Sequence, residues 1–369
     1  MKTVRRLLYR DIVSSVLFVA VAFLSLFFFI DFVDELEDIG KKGYTALHAA
    51  LSSLMEVPGH FYELFPIAVL IGTIFSLARM AQSTEYTILR TGGLGPERAL
   101  RLLALLGLAF AVCTFIVGDY VAPATEREAV LLKAQFTGGR QLGRSGAWLK
   151  DKRHTPQGER SYSINVAQTS PEGALAGIRI YEFDTQGRLL TRVQAAAGRV
   201  DEQGVWQLQD VQLTRWPAQP ADDARVQEQR LPTFQWASSL KADVVAAAVL
   251  PASTMSTIEL WRYTSHLNQQ EQAAQRYAIQ FWKKALYPFA CLVMVALALP
   301  FAYLHARSGG ISLKVFGGIL LGISFVLLNN VAGHLGLLHD WKPWAVAAAP
   351  SLLFLLLSLA AFAWLVRYR

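Results

Sequence analysis

Uncharged apolar positions gather into six runs: Ile12–Ile30, Leu64–Ala78, Leu102–Gly118, Ala285–Leu304, Val315–Gly333 and Pro343–Val366. A helix needs roughly 20 apolar residues to cross a bilayer core, and about 17 are tolerated. Five runs reach or approach that length. The second is short and reaches it by extending back through Phe61 and Tyr62, with Glu63 at the interface. The pattern predicts six transmembrane helices, grouped three and three.

The polar stretch between the groups, about residues 122–282, has a different period. "AWLKDK", "RSYSINVAQ", "AGIRIYEFD", "GRLLTRVQAAAGRV" and "GVWQLQDVQLTRW" show alternation or β-branched and aromatic enrichment. "TPQGE", "SPEG", "TQG" and "DEQG" separate them as turns. Short strands at this spacing predict an inserted all-β domain of sandwich or jelly-roll type. "ATEREAVLLKAQF" before it and "STIELWRYTSHLNQQEQAAQRYAIQFWKK" after it predict helical stalks. The expected organisation is residues 1–121 with three spans, 122–282 as the β-domain on its stalks, and 283–369 with three more spans.

Charge placement orients the chain. With a cytoplasmic N-terminus, the inside segments carry Lys2, Arg5, Arg6, Arg10, Arg79, Arg90, Arg98, Arg101, Arg307, Lys314, Arg367 and Arg369. The short outside loops carry only Lys41, Lys42 and Lys342. That is the positive-inside bias of a polytopic membrane protein with both termini in the cytoplasm and the β-domain outside. Lys283 and Lys284 adjoin the long translocated domain, where the rule is weak. The net charge of +7 is thus mostly a topology signal and points to no nucleic acid. Charged residues make up only 17% of the chain, against about 25% in soluble domains. The N-terminal run is too long for a signal peptide and lacks a small-residue cleavage site, which predicts a retained first span.

Candidate chemistry is sparse. Cys113 and Cys291 are the only cysteines; both fall in predicted spans, which argues against a structural disulfide and a zinc site. No G-x-x-x-x-G-K-[ST] string is present, so no P-loop is expected. A protein of this kind that moves something uphill draws its energy from a partner. His334, His339 and Asp340 have a spacing that fits no zinc motif, and Asp119 and Tyr120 are expected at the interface end of span three.

The polar stretch "ARMAQSTEYTILRTGGLGPERALRLL", between spans two and three, predicts a short cytoplasmic helix. Ser83 or Thr84 can cap it, and Glu85 in the first turn suits the helix dipole. Tyr86, Leu89 and Arg90 share one side at i, i+3 and i+4. Gly92 and Gly93 supply a left-handed stop, and Pro96 opens the next span. Such a helix suits a groove on a soluble partner, or lies as a capped loop on the membrane surface.

Several strings together carry a resemblance: "FVDELEDIGKKGYTALHAAL", "VPGHFYELFPIAVLIGTIFSLARMAQSTEYTILRTGG", "DYVAPATEREA", "VWQLQDV" and "RYAIQFWKKALYP". The chain resembles, over nearly its whole length, the LptF/LptG permeases of the lipopolysaccharide export ABC transporter, and its "FVDEL…GYTAL" and "FPIAVLIG" wording is nearer the LptG branch. The resemblance implies an inner-membrane permease that extracts lipopolysaccharide from the outer leaflet and passes it to a periplasmic bridge. It implies as partners an LptF-like permease, an LptB-like ATPase dimer that binds ATP and Mg²⁺, and an LptC-like single-span jelly-roll protein. No catalytic residue, cofactor or metal site is then expected in this chain.

The resemblance also assigns roles. The helix near residues 82–92 becomes a coupling helix carrying Ser83, Glu85, Tyr86, Leu89, Arg90 and Gly92. Lateral gates involve spans one and five, which brings in Asp31, Gly318, Gly322 and Asn329. The glycines form a small-xxx-small pattern that suits a mobile gate or tight static packing, and Asn329 and Asn330 suit a cavity lining or packing. Lys41 and Lys42 at the outer end of span one, with Lys133 on the following stalk, are candidate contacts for a phosphorylated headgroup. Asp31, Asp34, Glu35 and Asp38 beside them are expected to pair with those lysines, with basic groups on partners or with bridging divalent cations. Trp206, Leu208 and Val211 are candidate inward residues of the β-domain, as core or as acyl-chain lining, and an open sheet edge could extend into a partner jelly roll. A lipoprotein-release permease is a weaker alternative, because that family places its outside domain after the first span. A membrane scaffold would leave six spans and a polar helix without a purpose.

Overall fold

The computed structural model describes residues 2–137, 140–141, 147–155, 158–169, 174–201, 203–217, 225–238, 240, 245, 254–269, 274–303 and 310–367. Six helical runs are long and apolar enough to cross a bilayer: Val4–Asp38, Ala46–Gln82, Glu97–Lys133, Gln275–Tyr303, Ile311–Leu338 and Pro343–Trp364. The chain divides into two compact units, one of Met1–Glu37, Ala50–Glu126 and Ala278–Arg369, the other of Asp38–Ala49 and Arg127–Tyr277.

The first unit is built around α2 (Ala46–Gln82), whose most apolar window is 83% buried. Against it α1 (Lys2–Glu35) lays Leu8, Ile12, Val16 and Ala20, one residue per turn and each at most 4% exposed. The opposite face of α1 presents Leu17, Phe18 and Val21 outward, as expected of a helix that meets lipid. Gly72 makes the α1–α2 contact possible, because a Cβ there would lie 2.6 Å from the Val16 backbone. Backbone cannot swing aside as a side chain can. Gly72→Ala is therefore expected to cost about 1–3 kcal/mol as overpacking, whereas Gly317→Ala, with nothing within 4 Å, should be neutral. Melting of the two variants in detergent checks this.

The remaining helices of the unit are α3 (Glu85–Thr91), α4 (Pro96–Ile116), the start of α5 (Ala122–Thr137), most of α7 (Gln275–Leu286), α8 (Ala290–Ala298), α9 (Ile311–Leu338) and α10 (Pro343–Arg367). A π-helical turn, Val117–Val121, joins α4 to α5. It buries Asp119 and leaves Tyr120 exposed. Cys113 and Cys291 are both free thiols.

The second unit carries an antiparallel sheet: β1 (Arg140–Gln141), β2 (Ala147–Thr155), β3 (Gly158–Thr169), β4 (Leu175–Phe183), β5 (Leu189–Val200), β6 (Val205–Arg215) and β7 (Gln227–Ala237). β1 and β2 both pair with β3, and the order then runs β3-β4-β5-β6-β7. Among the described residues the strands form one hydrogen-bonded antiparallel sheet, a meander from β2 to β7, in keeping with the inserted all-β domain expected. The five strands read from alternation are β2 to β6. Gly158, Gly187 and Gly204 take positive φ in three of the four expected turns, which glycine does without steric cost. β7 was not legible, because Pro232 interrupts a polar run; a proline is tolerated on such an edge strand.

Two rows of side chains cross the buried face. One is Leu149–Ile164–Ile180–Val193–Leu213 and the other is Val166–Ile178–Ala195–Val211. In β6, Asp210 sits at φ +50°. The alternation slips there, so Trp206 and Leu208 before it and Val211 and Leu213 after it are all buried. Trp206 meets Trp236 edge to face at 5.8 Å, and Arg153 lies 4.5 Å from the ring centres of both Tyr162 and Trp236. The stalk helix expected after the sheet is two helices, α6 (Thr257–Gln269) and α7. Ser256 and Glu259 close a capping box on α6: the Ser256 N–H donates to Glu259 Oε2 at 2.8 Å and the Glu259 N–H to Ser256 Oγ at 3.3 Å.

Candidate functional site: a half-anchored helix between two spans

α3 is a seven-residue helix connecting α2 to α4. A helix this short is marginal alone, since nucleation is costly, so tertiary contacts hold it. Tyr86 supplies the main one. It is 3% exposed and packs edge to face on Tyr303 at 5.4 Å, and Tyr303 packs in turn on Phe362 at 5.8 Å. Arg90 sits 5.7 Å from the Tyr303 ring centre, within cation–π range. Leu89 packs on the same core. Burial, then the neighbouring Tyr303, push the Tyr86 phenol well above its ordinary pKa, so it stays neutral.

Three local expectations are corrected. Tyr86, expected to share a partner-facing side with Leu89 and Arg90, is the buried anchor, and the exposed residues are Glu85, Thr87, Ile88, Arg90 and Thr91. Ile88 is 65% exposed, an isolated aliphatic on an outward polar edge, and i+3 from Glu85. The side-chain cap does not form. Thr84 occupies the N-cap position at φ +60°, its hydroxyl donates to the Ser83 carbonyl at 2.6 Å, and Ser83 Oγ donates back to the Met80 carbonyl at 3.3 Å. Both hydroxyls satisfy backbone carbonyls rather than the free N–H groups of α3. The left-handed stop belongs to Gly93 alone, at φ +100°, while Gly92 has φ −75°. Its N–H donates to the Ile88 carbonyl at 2.9 Å, and the Leu94 N–H donates to the Leu89 carbonyl at 3.0 Å, closing the helix end. Pro96 does open α4.

The end of α2 that leads into α3 is tied to α1. Asp11 accepts from Ser76 Oγ at 2.7 Å and is ion-paired with Arg79. Tyr9 reaches across to α4, donating to the Leu102 carbonyl at 2.8 Å.

The other candidate residues fall in separate places. Lys41 and Lys133 share one carboxylate, Asp38, at 2.6 and 2.8 Å. They are paired cations that an incoming anion would have to compete for. The Lys42 side chain lies outside the described residues. Asp34 is exposed and Glu35 buried. Gly318 and Gly322 seat α9 on α2: a Cβ at either would come within 2.7 Å of Ile74 and 2.9 Å of Ile67, respectively, so the glycine pair makes a close helix contact. The Asn329 carbonyl accepts from Lys283 Nζ at 2.9 Å. Asn330 is exposed, and its carbonyl lies 2.9 Å from His334 Nδ1. His339 stacks on Trp341 at 5.8 Å, so this helix end is engaged in local packing. Asp31 bonds to His60 on α2 at 2.7 Å, a partner the sequence did not suggest. Lys284, read from sequence only as an outside charge, is 7% exposed and lies 6.0 Å from the Tyr62 ring centre.

In the sheet unit, Trp206, Leu208 and Val211 lie in the core. A concave pocket of about 390 Å³ is lined by Tyr162, Ile180, Val193, Leu213, Phe234 and Trp236, with Arg160, Glu182 and Arg215 among its polar wall residues. Arg160 and Glu182 form an ion pair, and Glu182 also accepts from the Tyr162 hydroxyl at 3.3 Å. Burial raises the Tyr162 phenol above its ordinary pKa. The lining is mixed, with more polar than apolar exposed surface, and offers an amphipathic guest both kinds of contact.

Comparison with known proteins places this architecture. The family model described as lipopolysaccharide export system permease LptF/LptG matches residues 6–366. The lipopolysaccharide export system permease protein LptG of Escherichia coli (strain K12) is 28% identical over 357 residues, covering 96% of each chain. The protein of the same name from Haemophilus influenzae (strain ATCC 51907 / DSM 11121 / KW20 / Rd) is 26% identical over 362 residues, again covering 96% of each. Six spanning helices in two groups, an antiparallel sheet inserted between them and a match over nearly the whole length agree with one another: the chain belongs to the LptF/LptG family of lipopolysaccharide export system permeases.

Proposed function

We propose that this chain is the permease subunit, of LptG type, that takes lipopolysaccharide from the outer leaflet of the inner membrane and passes it to a periplasmic β-bridge. ATP hydrolysis belongs to a soluble partner of LptB type, and a second permease of LptF type completes the lipid cavity, with an LptC-like single-span protein continuing the bridge. The observation that carries the reading is α3: Tyr86 anchors it inside the membrane unit, while Glu85 and Ile88 face outward. A helix held on one side and free on the other suits a groove on the ATPase.

The rest of the chain fits that role. The lysine and arginine bias supports a cytoplasmic α3 and a periplasmic sheet unit. α1 and α9 both pack on α2 through glycines, Gly72 for α1 and Gly318 and Gly322 for α9. Small-residue contacts of this kind can re-pack during gating. Lys41 and Lys133 exchange their shared Asp38 for a lipid phosphate, a charge-assisted contact. The pocket beside Tyr162 takes acyl chains.

A gentle-detergent pull-down of the tagged full chain, with co-purifying proteins identified by mass spectrometry, tests the partner assignment. A soluble ABC ATPase together with a second six-span permease is expected. Recovery of the folded chain alone contradicts it.

A further inference from the structure

One cluster of ionisable groups in the membrane unit is left unused by this reading. Glu56 and His60 are one turn apart on α2, so both project from one face. Asp31 reaches them from α1. One ligand atom from each of the three lies within 4.8 Å of the others, and all three residues are half-buried. The His60 ring is held in place, with Nε2 2.7 Å from Asp31 Oδ2 and its centre 4.9 Å from that of Phe27. Glu126 crowds the same spot from α5: its carboxylate lies against Gly59, where a Cβ would overlap it, and is within electrostatic range of Glu56, His60, Glu63 and Lys284.

We propose that Asp31, Glu56 and His60 form a binding site for a single first-row divalent metal ion of the zinc or cobalt kind. Four carboxylates, Asp31, Glu56, Glu63 and Glu126, gather here with one lysine, Lys284, and one imidazole. Ionisable groups inside spans carry a high solvation cost and persist where something offsets it; a divalent cation does so directly. Donors about 2.0–2.2 Å from a tetrahedral metal stand about 3.4 Å apart. The three groups need only small side-chain adjustments to meet that, with the metal replacing the shared proton between His60 and Asp31. The imidazole nitrogen sets the selectivity, favouring zinc, cobalt or nickel over magnesium and calcium, which prefer all-oxygen shells. Because Asp31 is on α1 and the other two ligands are on α2, the bound ion braces these helices together. The binding claim holds whether or not α1 gates lipid.

The test is a Co²⁺ titration of the full chain, purified in detergent through a histidine-free tag and stripped with chelator, followed by the visible ligand-field absorption and by Zn²⁺ competition. One equivalent is expected to bind. His60→Gln and Glu56→Gln should each weaken binding by at least the roughly tenfold that loss of an outer-shell partner alone costs, while a His334→Gln/His339→Gln pair leaves it unchanged. Variants are scored only if they melt like the wild type in chelator, and Asp31→Asn substitutes for one that does not. Absence of stoichiometric binding to the wild type overturns the site. So does equal affinity in wild type and ligand variants, or binding that disappears with His334 and His339.

Discussion

Glu85→Lys, and separately Ile88→Asp, should reduce recovery of the ATPase with this chain by at least about tenfold, while the membrane unit melts as in the wild type. The asymmetry of α3 is the reason. Both residues lie on the outward edge and contribute little to the unit's own core, and exposed substitutions of this kind usually change stability by less than about 0.5 kcal/mol. At an interface the same positions weigh far more. An aliphatic seated in a groove and a carboxylate beside it are the sort of central contacts whose loss costs about 2 kcal/mol or more. Tyr86→Ala behaves differently: it removes the anchor on Tyr303, lowers the stability of the membrane unit, and weakens ATPase recovery only through the displaced helix. A titrated pull-down with a parallel melt separates the two classes. Equal ATPase recovery for wild type, Glu85→Lys and Ile88→Asp contradicts the docking role of α3.

The second large effect is in the sheet. Trp206→Ala should destabilise it by about 3–5 kcal/mol, the usual cost of deleting a buried large aromatic. Trp206 is 0% exposed, packs edge to face on Trp236, and its indole N–H has no acceptor among the described residues. Its contribution is therefore volume and apolar contact rather than a hydrogen bond. Trp206→Phe keeps much of that contact and should cost clearly less. Because a chain of two units need not unfold in one step, the readout is hydrogen exchange of the β5 and β6 amides. A loss of protection by Trp206→Ala no greater than that of Trp206→Phe contradicts the packing role.

Much of this architecture was legible because strong periodic signals carry it. Six apolar runs marked the spans, and alternation with glycine turns marked β2 to β6. The parts that were missed depend on contacts distant in sequence or on a broken period. β7 hides behind Pro232. A seven-residue helix has too few turns for periodicity to separate inward from outward, and the residue that decides it, Tyr303, is far along the chain; hence neither the burial of Tyr86 nor the exposure of Ile88 is legible in the sequence. The glycines of α9 were visible as a pattern, but their partners, Ile67 and Ile74, were not. His60 gave no sequence signal beyond the Glu56 spacing, since Asp31 comes from another helix.

The most direct test of the account is ATP-driven release of lipopolysaccharide from proteoliposomes holding this chain with its co-purified permease and ATPase, captured by a soluble β-bridge acceptor. The account predicts release that requires ATP, falls to background with Ile88→Asp, and persists with a Gly317→Ala control. Release that continues at the wild-type rate with Ile88→Asp, or none from the intact wild-type assembly, would contradict it.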